Sequence, residues 1–171
     1  MIITISGMPG SGKSTVAKII AEKTELEYMN AGDVFRTLAH KKGMTLDEFS
    51  AYAELNPAID QTIDKKVVEV AKKGDVVLEG RLAGVMCHRN EIEAKKVWLD
   101  APLRVRAERV AKRENKKIES VISEIQERER SEWERYFKMY GVDLNNLDIY
   151  DMVIDTSDKS PEEIAEEVLK S

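Results

Sequence analysis

The chain has 171 residues, 42% of them apolar and 35% charged, with a net charge of −5. That length suits one domain around one core, and the acidic balance lacks the basic footprint of a nucleic-acid or membrane binder. Its single cysteine, Cys87, excludes an internal disulfide and fits a reducing cytoplasm, and no apolar run approaches the roughly 18 residues of a membrane span.

The opening MIITIS is a short β-branched run closed by Gly7, the pattern of a buried strand and not of a secretory leader. KSTVAKIIAEK puts Val16, Ile19 and Ile20 on one helical face, and LEYMN is a second short strand. DVFRTLAHKKG and LDEFSAYAE read as helices, the latter capped by Thr45 or Asp47. In IDQTIDKKVVEVAKKG, apolar residues recur at Ile59, Ile63, Val67 and Val70 until Gly74 stops the helix. DVVLEG and KKVWLDAP are strands of the kind buried on both faces. Two charged helices with an apolar stripe follow, then the strand DMVIDTS and a helix with Ser160 as cap and Pro161 in its first turn. Strands alternating with helices predict an α/β fold, an open parallel sheet with helices on both faces, in one domain over 1–171.

Gly7-Met8-Pro9-Gly10-Ser11-Gly12-Lys13-Ser14-Thr15 contains G-x-x-x-x-G-K-[ST] between the first strand and the first helix. Glycines allow backbone N–H groups to turn inward around phosphate oxygens, and the helix adds its positive end. Lys13 is expected on the β- and γ-phosphates of a nucleoside triphosphate, and the Ser14 hydroxyl on Mg²⁺. The guanine-reading N-K-x-D is missing, since NKKI at Asn115–Ile118 lacks the Asp, and no D-x-x-G follows the third strand. A small kinase remains. Such an enzyme needs a second anion site and an arginine-rich lid that excludes water.

Arg36 and Arg81 suit the second anion, each able to fork onto a phosphate or carboxylate. Arg81 stands at a strand's carboxyl end, where open parallel sheets place ligands. Glu79, two residues earlier, either orients Mg²⁺-bound water or pairs with Arg81. Arg128, Glu132 and Arg135, at offsets 0, +4 and +7, share one helical face. Arg104 and Arg106 are read as solvating their helix, Trp98 as core, and Met86, Cys87, Trp133 and Tyr136 as packing.

SGMPGSGKSTVAK, NAGDVFR, VVLEGRLAG, APLRVRAERVAKRE and ERERSEWERYFKMYG together resemble the cytidylate kinase family in its short archaeal form, in the same order over essentially the whole chain. The resemblance implies a nucleoside-monophosphate-kinase fold of strand order 2-3-1-4-5, with acceptor-binding helices over about 31–73 and a lid over about 109–140. It implies transfer of the ATP γ-phosphate to CMP and dCMP with Mg²⁺. On that resemblance Arg36, Arg81 and Glu132 contact the acceptor, Arg128 and Arg135 close on the transferring group, and Arg109 and Arg113 meet the donor. The TSDKSP turn resembles the loop that meets the donor adenine. The base-binding insertion of bacterial relatives is absent, so the base reader stays unassigned, with Asp33 a candidate near the site.

The expected protein is a cytoplasmic, monomeric kinase acting on ATP and CMP, without nucleic-acid or membrane partners. An AMP- or UMP-specific enzyme, and a non-catalytic nucleotide-binding partner in RNA processing, stay open. A kinase for a hydroxyl acceptor would need an aspartate base, for which Asp33 is the candidate.

Overall fold

A computed structural model describes all 171 residues. Its centre is built by β1 (Ile2–Gly7), β3 (Val76–Glu79) and β4 (Lys95–Asp100). Ile3, Ile5, Val77, Val97 and Leu99 are fully buried there, as strands covered on both faces require. β2 (Glu27–Asn30) and β5 (Met152–Asp155) complete the sheet at its edges. The order is β2-β3-β1-β4-β5, with all four pairings parallel. The register sets Ile5 beside Glu79 and Ser6 beside Trp98, so the strands end together at one rim.

On one face, α1 (Lys13–Thr24) and α8 (Pro161–Lys170) bury Val16, Ile20, Ile164, Ala165 and Val168 against β1 and β4. On the other, α4 (Ala58–Lys73) and α5 (Ala83–Arg89) bury Val67, Ala71, Ala83, Met86 and Cys87 with Val76 and Leu78. Short polar caps start several helices. Asn30 accepts from the Asp33 N–H at the head of α2 (Ala31–Lys41), Thr45 from Glu48 at α3 (Leu46–Leu55), and Ser160 from Glu163 at α8.

α6 (Leu103–Glu114) and α7 (Ile118–Tyr140) form a hairpin with a small core of its own: Ala107, Val110, Ala111, Val121 and Ile125. The far end of α7 returns to the sheet, where Tyr136 joins the α4–α5 face. α7 therefore spans the gap between its hairpin and the main core. The middle of the helix, Arg128 to Arg135, borders the cleft between them.

One periodic reading is incomplete. Ile63 and Val67 are core as their spacing predicts, but Asp60 and Asp64 are buried on the same face of α4.

Candidate active site

The loop from Gly7 to Ser14 is built at the carboxyl end of β1, and its glycines are sterically required. A Cβ at Gly7 would stand 2.5 Å from the Leu99 carbonyl oxygen, and one at Gly10 2.5 Å from that of Arg106. The cap of α1 is Gly12 in a left-handed conformation and offers no side-chain acceptor, so the first amides of the helix face the cleft unsatisfied, as an anion site requires. Lys13 Nζ donates to the Met8 carbonyl at 3.1 Å. Burial, then the neighbouring Arg81 guanidinium, lower its pKa well below the usual lysine value, and a phosphate beside it would favour the charged form.

Ser14 Oγ donates to Glu79 Oε1 at 2.8 Å, and the Tyr28 hydroxyl donates to Glu79 Oε2. Glu79 is only 4% exposed. Neither carboxylate oxygen hydrogen-bonds a cationic side chain, so a buried carboxylate and a serine hydroxyl stand together beside the phosphate loop. Oxygen donors of this kind suit a hard divalent cation.

Two arginines of α6 clip the loop from outside. Arg106 donates to the carbonyls of Ala101 at 2.9 Å and Pro9 at 3.2 Å, and pairs with Glu129 of α7 at 2.5 Å. The expectation that Arg106 solvates its helix is thereby corrected: it is buried, because main-chain acceptors and a carboxylate together satisfy its charge. Arg109 donates to Gly10 O at 3.2 Å and to the hydroxyl and carbonyl of Thr156, at 2.9 and 2.7 Å.

Across the cleft, Arg81 makes a bidentate pair with Glu132 of α7, at 2.5 and 3.4 Å, and also donates to the Gly7 carbonyl. Burial alone would raise the Glu132 pKa, but Arg81 and Arg128 outweigh it and hold the group below its ordinary value. Arg128 has no ion pair. Burial, opposed by Glu132 but joined by the charges of Arg81 and Arg36, lowers its pKa. Arg135 is bound to Asp60 at 2.7 Å and to Ser131 at 2.6 Å, with Asp60 and Arg135 side chains each 4% exposed.

The cleft, of about 180 Å³, brings together Lys13, Ser14, Thr15, Arg36, Glu79, Arg81, Arg113, Arg128, Glu132 and Arg135. Of the expected residues, Gly7, Met8 and Ser11 form the base of the loop without lining the cleft, and two charged residues lie elsewhere. Asp33 is exposed and paired with Arg36 at 2.6 Å instead of facing the cleft. Arg109 holds the loop and Thr156 from behind, while Arg113, one helical turn on, reaches the cleft wall. Arg135 reaches the cleft as an anchored side chain, since its guanidinium is already matched to Asp60.

Asp60, Asp64 and Phe35 also line the cleft and were missed, and Tyr136, read as packing, both packs in the core and borders the cleft. A legible signal existed for the aspartates: Asp60, Ile63, Asp64 and Val67 follow the i, i+3, i+4, i+7 spacing of one face, and carboxylates inside an apolar stripe are seldom solvent-facing. Tyr28 had no such signal, because only sheet pairing sets it beside Glu79.

Residues 2–158 match the model of the cytidylate kinase-like family. A cytidylate kinase of Pyrococcus horikoshii is 51% identical over 162 residues, covering 95% of this chain and 83% of that protein. One from Methanocaldococcus jannaschii is 52% identical over 158 residues, covering 92% and 89%. Among solved structures, a gluconokinase from Sinorhizobium meliloti superposes with a TM-score of 0.64 at 18% identity, covering 98% of this chain and 89% of that one. That likeness concerns the fold: a five-stranded parallel sheet shared with other P-loop kinases.

Proposed function

This chain belongs to the cytidylate kinase-like family, and on that premise we propose that it transfers the γ-phosphoryl group of ATP to CMP and dCMP, giving CDP or dCDP and ADP in pyrimidine nucleotide salvage. It is a kinase of nucleoside monophosphates. The observation that carries the finer reading is Arg128, a half-buried guanidinium with no ion pair, lining the same cleft as Lys13, Arg36 and Arg81. A cluster of cations short of anions is what two facing phosphate groups would neutralise.

In this reading the loop amides and Lys13 bind the donor phosphates. Arg36 and Arg81 hold the acceptor phosphate, which is already an anion at neutral pH and needs no general base. Arg128, on the α6–α7 lid, offsets charge on the transferring group, with Arg135 anchored behind it. Arg113 meets the donor from the lid. Arg109 and the Thr156 turn shape the donor side through the loop. The Ser14 hydroxyl and the Glu79 carboxylate would hold Mg²⁺, Glu79 through a coordinated water and Tyr28 keeping that carboxylate in place. When bound, the cation would offset charge on the β- and γ-phosphates.

A hydroxyl acceptor would need an aspartate base. Asp33, the residue expected in that role, is engaged with Arg36 at the surface. We place the protein in the cytoplasm as a monomer.

The test is ADP release by purified protein with ATP-Mg²⁺ and a panel of CMP, dCMP, UMP, AMP and GMP. The highest kcat/KM for CMP supports the reading. Turnover confined to AMP or UMP would transfer the assignment to that acceptor, and ATP binding without acceptor-dependent release would mark a non-catalytic nucleotide binder.

A further inference from the structure

The cleft continues past the phosphate-binding arginines to a wall whose chemistry is different. Along α7, Arg128 and Tyr136 are eight residues apart, about 12 Å of helix, a span that accommodates a phosphate, a sugar and a base. The first end carries the free guanidinium. At the second, Asp60 and Asp64 of α4 face Arg135 and Tyr136 of α7, with Phe35 and Ile63 supplying apolar surface. We propose that Asp60, Asp64 and Tyr136 form the subsite that reads the base of the acceptor nucleotide, with the carboxylates accepting from an exocyclic amino group; this rests on the acceptor reading above.

The polar groups of this wall are unevenly satisfied, and that asymmetry points to a ligand. Asp60 is matched by Arg135. Asp64 is 8% exposed and has no cation of its own, its single side-chain partner being the Tyr140 hydroxyl at 2.8 Å on Oδ2. The Tyr136 side chain is 9% exposed, borders the cleft, and its hydroxyl finds no partner within the protein. Buried side-chain atoms without a partner are confined to Thr4, Ser11 and Ser157, so the Tyr136 hydroxyl and the second Asp64 oxygen are open to the cleft and available to a polar ligand entering it. The raised Asp64 pKa, about 7, has the same origin: burial first, with the Asp60 charge adding to it.

Cytosine offers a donor at its 4-amino group and acceptors at N3 and O2. The free Asp64 oxygen complements the amino group, and the Tyr136 hydroxyl can donate to a ring acceptor. Uracil would bring a 4-oxo group against the ionised carboxylate, leaving two acceptors face to face and unpaired, whereas a protonated Asp64 could donate to it, so the discrimination is sharpest above the Asp64 pKa of about 7. Hydrogen-bonding sites reject such mismatches strongly. The aspartates thus supply the selectivity that phosphate grips, common to every monophosphate, lack.

Asp64→Asn is the direct test, because the amide keeps an acceptor for Tyr140 while turning an NH₂ toward the base. The CMP-to-UMP ratio of kcat/KM is expected to fall by about tenfold or more, with ATP affinity unchanged. A ratio within twofold of wild type overturns the proposal. Should Asp64→Asn fail to bind ATP, Tyr136→Phe carries the same reading, and an unchanged ratio there overturns it equally. A wild-type enzyme preferring AMP would sink the acceptor reading by itself. The wall would stand if Asp64→Asn then cost AMP relative to IMP, which differs at the equivalent amino group, and fall if it did not.

Discussion

Arg81 Nε lies 2.5 Å from Glu132 Oε2, with the two side chains only 9% and 11% exposed. The pair ties the end of β3 to the middle of α7, and through the Gly7 carbonyl to the phosphate loop. A phosphate entering the cleft would join or displace Glu132 on a guanidinium that is already in place. Positioning and fold stability are therefore linked at one residue.

That linkage separates Arg81 from Arg36. Arg81→Ala should raise the acceptor KM and lower kcat, with a smaller loss of ATP affinity through the freed Gly7 carbonyl, and should also cost about 3 kcal/mol of stability by leaving Glu132 buried without its partner. Arg36 is exposed, and its pair with Asp33 contributes little to the fold. Arg36→Ala should show the kinetic effect alone. Steady-state kinetics beside urea unfolding resolves the two, and unchanged acceptor kinetics in both variants would remove them from the site.

Lys13→Ala should lose about 3 kcal/mol or more of transition-state stabilisation, at least a hundredfold in kcat/KM. The side chain spans the loop to Met8 O, so part of any loss will appear in ATP affinity. Comparing kcat with the ATP Kd apportions it. Wild-type turnover would be incompatible with the phosphate loop as assigned.

Arg106 was read from the sequence as a surface charge, and its burial predicts the reverse of a surface substitution. Arg106→Ala strips Glu129 of its partner and frees the Pro9 and Ala101 carbonyls. About 3 kcal/mol of destabilisation is expected, together with a weaker ATP Kd as the loop loosens. Arg104→Ala, in an exposed pair with Glu108, should change stability by less than about 0.5 kcal/mol. Equal unfolding midpoints for the two variants would contradict the clip.

Asp64 predicts a pH dependence with a definite sign. Its pKa rises from 3.8 to about 7 on folding, through burial and the Asp60 charge, against the Tyr140 hydrogen bond and Arg135. The folded state then binds more protons than the unfolded between those values, so this group's contribution is fully present below pH 4 and is lost as pH rises to about 7. Asp64→Asn should gain stability relative to wild type as pH increases from 5 to 8, by up to about 3 kcal/mol before relaxation. Chemical denaturation at several pH values measures it, and a constant difference would rule out an ionising Asp64.

Much of the fold was legible because local patterns and packing agree. The β-branched run Ile2–Ile5, the glycine loop, Thr45 and Ser160 as caps and Gly74 as a stop each specify their element through neighbouring residues alone. Arg128, Glu132 and Arg135 were singled out by the family resemblance, and spacing added that the three lie on one side of a helix. The α4 aspartates were passed over because an apolar-stripe reading counts only apolar residues. Asp33 was favoured for nearness in sequence, although its place in the first turn of α2 turns it toward Arg36 at the surface.

By itself, the amino-acid order determined that a phosphate loop joins a buried strand to a helix and that a parallel sheet supports it, because these depend on residues within a few positions of one another. Which arginine is free to meet a ligand was decided only in three dimensions. Arg81 found Glu132, Arg106 found Glu129, Arg135 found Asp60, and Arg128 found no carboxylate to pair with. A guanidinium's role depends on whether its charge is already matched, and the matching groups come from helices and strands far apart along the chain.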